Sequence, residues 1–111
     1  MPREQNKRDE PKPFYPLAEV KQLIAKGKVR IQQNALESAL NDFEWGPDEI
    51  LKAMCELEPE HFHKQDVMTK NRMIVIDVYH APRLREEAVY THFYINDEKD
   101  ILVINSFKQL E

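Results

Sequence analysis

The chain has 111 residues, of which 41% are hydrophobic and 32% charged, and its formal net charge is −4. This size and composition predict one globular domain with a modest core. No apolar run approaches the roughly 18 residues that a membrane-spanning helix needs, and the first residues, MPREQNKRDEPKP, lack the apolar region of a secretory signal. A single cysteine excludes an internal disulfide and a thiolate zinc cluster, so we expect a cytoplasmic protein without a membrane partner.

The acidic balance disfavours an extended basic surface of the kind that binds nucleic acid. The charges are unevenly distributed, however, and the acidic residues concentrate on the predicted helices and in the segment NDEKD. The second half of the chain carries five cationic side chains within a short stretch, namely Lys64, Lys70, Arg72, Arg83 and Arg85. A local positive patch on an acidic protein is therefore compatible with the sequence.

The first 16 residues contain four prolines among mixed charges. Proline removes backbone donors, and no apolar cluster stands there to join a core. We therefore predict a mobile tail over residues 1–16, followed by one domain over residues 17–111. Apolar residues at helical spacing from Leu17 to Ile24 predict a first helix, which Gly27 would end.

The segment VRI then predicts a short strand, and residues 34–41 predict a second helix. A third helix should begin at Gly46 and Pro47, because proline suits the first helical turn and the acidic residues after it suit the helix dipole. Cys55 falls within this third helical pattern. We interpret it as an inert residue of the core or of a groove rather than as a nucleophile.

The periodicity changes in the second half of the chain. Four segments rich in Val, Ile, Phe and Tyr predict strands, namely HFHKQDV, MIVIDVY, AVYTHFYI and ILVINSF. The short polar segment NDEKD predicts a hairpin between the last two, and PRL after the second strand is interpreted as a loop. Helices followed by an antiparallel sheet predict an α+β domain in which the helices cover one sheet face.

One predicted strand carries a row of polar side chains, and the uncovered face is the candidate location for this row. The strand period of two gives one face three aromatic or imidazole rings, those of Tyr90, His92 and Tyr94. A metal site is only weakly indicated, because the pair His61 and His63 lacks a third ligand at metal spacing. The chain also lacks a glycine-rich phosphate loop, so we expect no metal and no cofactor.

Lysine, arginine, tyrosine and histidine side chains can together cleave RNA without a metal. The ribose 2′-OH is an internal nucleophile, so the protein need only deprotonate it, stabilise charge on the phosphate and protonate the leaving 5′ oxygen. Aromatic rings can stack on unpaired bases. A tyrosine on a strand more often packs against its neighbours, and a surface lysine is more often simply solvated. From composition alone, RNA cleavage is therefore one alternative.

An ordered series of segments resembles the MqsR family of motility quorum-sensing regulator toxins. The segments are PLAEVKQLIAKGKVR, WGPDEI, HFHK, DVYHAPRL, VYTHFYI and VINSFKQ. The resemblance implies a RelE-like α+β fold and a metal-independent endoribonuclease that cuts single-stranded mRNA at short GC-containing sequences. It also implies a cognate antitoxin with a zinc-binding part and a helix-turn-helix part. The toxin would then contact DNA only indirectly, through this antitoxin.

The resemblance also implies which residues act. Three functional positions of the family carry the expected residue in this chain, namely Lys64, Tyr90 and Lys108. A fourth position, a glutamine in the family, is Ile76 here, and isoleucine cannot hydrogen-bond RNA. His92 is a more natural proton carrier than lysine or tyrosine, because imidazole titrates near neutrality, and His63 is the alternative acid or base. Four further side chains are expected to contact substrate, namely His63, Tyr79, Arg83 and Tyr94.

Two other functions remain open from the sequence. A domain that has lost catalysis and only binds its antitoxin is favoured by Ile76 and by the acidic net charge. An adaptor unrelated to RNA would require the ordered series of segments to be a chance match. Steep weakening of RNA binding with salt would favour the nuclease over both.

Overall fold

A computed structural model describes residues 12–111 of the chain. Its helices are α1 (Leu17–Ala25), α2 (Gln33–Phe43) and α3 (Pro47–Met54), with a short 3₁₀ turn at Pro59–His61. Its strands are β1 (Val29–Ile31), β2 (Phe62–Val67), β3 (Val75–Leu84), β4 (Glu87–Asn96) and β5 (Ile101–Gln109). Among residues 12–111, no helix is both long enough and apolar enough to cross a membrane.

The five strands form one sheet in the order β1-β5-β4-β3-β2. Pairing is antiparallel throughout β2 to β5, whereas the short edge strand β1 runs parallel to β5. This arrangement confirms the predicted α+β class and the hairpin at NDEKD. The parallel edge pair was not predicted, because it joins segments more than 70 residues apart in the chain, Val29 with Leu102.

The helices cover one face of the sheet and share a single core with it. From the helices the core takes small and apolar side chains such as Val20, Ala39 and Met54. Alternate residues of the central strands meet them, including Phe93 of β4 and Phe107 of β5. The third helix begins as predicted, because Pro47 occupies its first turn and the Glu49 carboxylate accepts a 2.9 Å hydrogen bond from the Gly46 N–H.

The segment before the first helix packs onto the sheet. Tyr15 is buried in the core, and its hydroxyl donates to the carbonyl of Val75 at 2.7 Å. The carboxylate of Asp77, itself fully buried, accepts hydrogen bonds from the backbone N–H groups of Phe14 at 3.0 Å and Tyr15 at 2.8 Å. The prediction that nothing before residue 17 joins the core is therefore wrong at Tyr15. The rest of the predicted mobile tail, residues 1–11, lies outside the described residues.

The segment PRL is strand rather than loop. The ladder between β2 and β3 ends at Phe62 opposite Tyr79, so Pro82 lies beyond it and needs no N–H for a β2 partner. The pairing of β3 with β4 continues, through an irregularity, to Leu84. A tight turn at Arg85 and Glu86 follows, with φ of 50° and 72°, and two consecutive positive φ values match the twist of a two-residue hairpin.

Candidate active site

The side of the sheet opposite the helices, here called the open face, collects polar side chains from three strands. Tyr90 and His92 alternate along β4 with buried core residues, as the sequence predicts. The register places His80 of β3 on one side of Tyr90 and Lys108 of β5 on the other. The fold thus brings one tyrosine, two histidines and one lysine together.

A hydrogen bond joins the two central side chains. The Oη of Tyr90 lies 3.0 Å from Nδ1 of His92, and the two rings meet edge to face. The Nζ of Lys108 lies 5.2 Å from the centroid of the Tyr90 ring, within cation–π distance. A hydroxyl, an imidazole and an ammonium group are therefore within reach of one small ligand.

The environment of these groups keeps both ring side chains neutral near pH 7. Burial, and after it the charge of Lys108, lowers the pKa of His92, and Asp66 opposes this shift. Burial, with Asp66 as the second cause, raises the pKa of Tyr90. Two neutral groups can form this hydrogen bond in either direction, and the tautomer of His92 decides which of them donates.

Strand β2 supplies a second lysine to the open face. Lys64 pairs with Val78, which pairs in turn with His92, so Lys64 lies two strands away from His92, about 10 Å between Cα atoms. The Nζ of Lys64 lies 3.6 Å from a carboxylate oxygen of Asp66. The backbone N–H of Val67, and then Lys64, lowers the pKa of Asp66. Asp66 thus stays ionised and forms an ion pair with Lys64.

A groove of about 690 Å³ runs along this part of the open face; we call it the central groove. Its floor includes two apolar side chains, Ile76 and Val78, and its walls include Asp66, Tyr90, His92 and Asn105. A second depression of about 300 Å³ lies on the other side of Tyr90, against His80, Lys108 and the end of the chain. The Tyr90 ring therefore stands between two concave sites.

His80 is a site residue that the sequence reasoning missed. Its ring stacks on that of His63, with centroids 3.9 Å apart and an interplanar angle of 13°, and lies 5.5 Å from the Tyr90 ring. Burial, followed by His63 and Lys64, lowers the pKa of His80. Strand alternation places His80 on the same face as Val78, two residues earlier, and this was the signal available in the sequence. The residues that surround His80 depend on strand pairing, which the sequence alone does not give.

Besides His63, which stacks on His80, three predicted substrate contacts lie outside the lining of the central groove. Tyr79 is fully buried on the helix-covered face, where burial raises its pKa and its ring stacks on Phe93, so it is not placed to meet a substrate. Arg83 is exposed near the irregular end of β3. Tyr94 is half-buried on the open face, two residues beyond His92. Substrate contacts by Arg83 and Tyr94 stay predictions.

The two histidines that weakly indicated a metal site make contacts with different residues. Nδ1 of His61 accepts the backbone N–H of Glu58 at 3.0 Å, whereas His63 stacks on His80. Within residues 12–111, no group of three or more His, Cys, Asp or Glu side chains has metal-binding geometry. Cys55 is exposed and lines a shallow depression with two apolar and three charged residues, so it is a groove residue and not a core residue.

The fold and the open face together define an α+β domain with a cationic and aromatic site built on an antiparallel sheet. Comparison with known protein families matches residues 12–109 to the family described as motility quorum-sensing regulator, toxin of MqsA. The chain belongs to this family, and it is thereby a toxin of a toxin–antitoxin pair. A comparison with curated proteins finds no match. The RelE-like character of the fold stays a prediction.

Proposed function

We propose that the protein is a metal-independent endoribonuclease that cleaves single-stranded mRNA at short GC-containing sites through attack of a ribose 2′-OH. The observation that carries this proposal is the 3.0 Å hydrogen bond between Tyr90 and neutral His92, with Lys108 beside the same tyrosine. Proton transfer and charge stabilisation, which this reaction requires, are what these three groups can supply.

The roles follow from the protonation states. Lys108 and Lys64 stabilise negative charge on the scissile phosphate, Lys64 after release from Asp66. In the tautomer of His92 whose Nδ1–H donates to Tyr90, the free Nε2 takes the proton of the 2′-OH as the 2′ oxygen bonds to phosphorus. Tyr90 gives its proton to the 5′ oxygen as the bond from that oxygen to phosphorus breaks. The Nδ1 proton of His92 then passes to Tyr90 along their hydrogen bond, which leaves both groups neutral, with the proton from the 2′-OH on Nε2 of His92.

Cleavage should depend on pH through His92. Because the pKa of His92 is lowered, the residue is neutral at pH 7 and charges only below its usual value of about 6.5. We expect single-turnover rates to be flat from pH 7 to 9, since the raised pKa keeps Tyr90 protonated, and to fall below pH 6.5. His92→Gln should be slow at every pH and lose this fall. Rates that rise steadily toward pH 5 would contradict the role of His92.

The nucleophile can be tested in the RNA itself. Replacing the ribose that precedes the cut by 2′-deoxyribose should abolish cleavage at that bond, because the attacking oxygen is removed. The same replacement two nucleotides away is the control and should leave the cut intact. Product ends mapped by mass spectrometry should carry a 2′,3′-cyclic phosphate and a 5′-hydroxyl. Unchanged cutting at the deoxy position would show that water, and not the 2′-OH, attacks.

We also propose the partner that the family resemblance implies. A cognate antitoxin with a zinc-binding part and a helix-turn-helix part would bind the toxin, so that any zinc and any DNA contact belong to the antitoxin. The family's own description, toxin of MqsA, supports a dedicated partner. We place the free toxin and its mRNA substrate in the cytoplasm.

A catalytically weak toxin that mainly binds its antitoxin is the second candidate. Two features of the central groove favour it: Ile76 offers its floor no hydrogen bond, and Asp66 places a negative charge where phosphates would approach. RNA binding that is weak and insensitive to salt would favour this candidate, since phosphate contacts weaken steeply as salt rises. The third interpretation, an adaptor unrelated to RNA, required the ordered series of segments to be a chance match, and the family match argues against chance.

A further inference from the structure

The strand β5 contains an irregularity that puts one side chain into the central groove. Asn105 has no partner across the ladder with β4, whose flanking pairs are His92 with Ser106 and Phe93 with Ile104. A bulge of this kind re-aims the extra residue and is frequent beside active sites. The Asn34 side chain of α2 donates to the backbone carbonyl of Asn105 at 2.8 Å, which holds the bulge in place.

The side-chain oxygen of Asn105 lacks a hydrogen bond. Its Oδ1 is buried, and no donor from residues 12–111 reaches it. Buried acceptors are normally paired, so an unpaired one beside a cavity indicates a ligand that donates to it. The terminal torsion of an asparagine is soft, so rotation about it can bring this oxygen to the groove that Asn105 lines.

The rest of the central groove suits a flat base. Ile76 and Val78 provide an apolar floor, and Tyr90 and His92 lie in the walls, so a base held there lies next to the phosphate at Tyr90. Asp66 and Lys70 also line the groove, but the two Asp66 oxygens are already engaged by the Val67 N–H and by Lys64. The oxygen of Asn105 is therefore the acceptor that a donor on the edge of a base would satisfy.

We propose that Asn105 determines base specificity by accepting a hydrogen bond from the exocyclic amino group of the base beside the cleaved phosphate. An exocyclic amino group projects from the edge of adenine, cytosine or guanine and can reach an oxygen set into a groove wall. The ring N–H of uracil is flanked by two carbonyl oxygens, which would face the asparagine oxygen. The site therefore takes adenine, cytosine or guanine in preference to uracil. This inference rests on the proposed nuclease function.

The test uses the wild-type protein and a set of matched RNAs. At one position beside the mapped cut, cytidine is compared with uridine and with a cytidine analogue that lacks the 4-amino group. We expect the two bases without the amino group to be cleaved about tenfold more slowly, the loss expected when a hydrogen bond to a buried group is left unmade. Equal rates for all three in wild type would overturn the inference.

The matched variants are Asn105→Leu and Asn41→Leu. The first keeps the size of the side chain without its hydrogen bonds, and it should cleave the three RNAs at equal rates. Asn41 is exposed on α2, away from the central groove, so its variant should keep the wild-type preference. A tenfold preference that survives in Asn105→Leu would overturn the inference.

Binding to RNAs that carry 2′-deoxyribose at the cut separates this inference from the nuclease itself. Selective binding of the amino-bearing base without any cleavage of normal RNA would support the role of Asn105 and overturn the nuclease. Cleavage of normal RNA with no preference among the bases would support the nuclease and overturn the role of Asn105. No binding to any of these RNAs would overturn both.

Discussion

Replacing Lys108 by alanine is expected to slow RNA cleavage about 100- to 1,000-fold, the loss typical when a group that stabilises transition-state charge is removed. Its ammonium group is the cation placed against Tyr90, 5.2 Å from the ring centroid, and it also helps to keep His92 neutral. Initial rates on an RNA containing a mapped cut site measure the effect. We expect Tyr90→Phe to lose a similar factor, because the ring remains while the relay to His92 is broken.

The control for Lys108→Ala is Lys52→Ala, which removes one positive charge from the exposed side of α3. It should cleave at the wild-type rate, and both variants should melt at the wild-type temperature, since Lys108 and Lys52 are exposed. Full activity of Lys108→Ala, with the same product ends, would remove the lysine from the mechanism.

The second large effect concerns stability. Asp77→Ala should lower the free energy of unfolding by about 3 kcal/mol, because it leaves the N–H groups of Phe14 and Tyr15 without their acceptor and opens a small cavity. For a domain of this size, such a loss lowers the melting temperature by about 10 °C or more. Denaturant unfolding and thermal melts both measure it.

A substitution of the same kind at the surface provides the comparison. Asp97 is exposed in the turn between β4 and β5, so Asp97→Ala should change stability by no more than about 0.5 kcal/mol. If Asp77→Ala were equally mild, the segment before α1 would contribute little to the fold. Asp77 would then be a buried carboxyl whose raised pKa reflects burial without a structural benefit.

Features encoded within a few residues were predictable from the sequence. The start of α3 depends on Gly46, Pro47 and a nearby carboxylate, and the two faces of β4 depend on simple alternation. The turn at Arg85 and Glu86 was missed, because positive φ values in a hairpin are normally signalled by glycine or asparagine. The burial of Tyr15 was missed as well, because its partner Asp77 is 62 residues away in the chain.

The residues of the candidate site also divide into those that the local sequence predicts and those whose neighbours are distant in the chain. Tyr90 and His92 are two residues apart on one strand, so their common face could be predicted, and the family resemblance added Lys64 and Lys108. His80 and Asn105 could not be predicted, because their neighbours are set by strand register and by a bulge. The strand alternation that makes His80 part of the site also buries Tyr79, which had been expected to contact substrate.

The proposed nuclease cuts RNA with its own side chains and without a metal. The most direct measurement is to incubate the purified, antitoxin-free protein with a long single-stranded RNA in EDTA and to map the product ends, with Lys108→Ala in parallel. We predict cuts at a repeated short sequence, with cyclic phosphate ends, that disappear in the variant. A folded wild-type protein that leaves the RNA intact would contradict the account and favour a toxin that mainly binds its antitoxin.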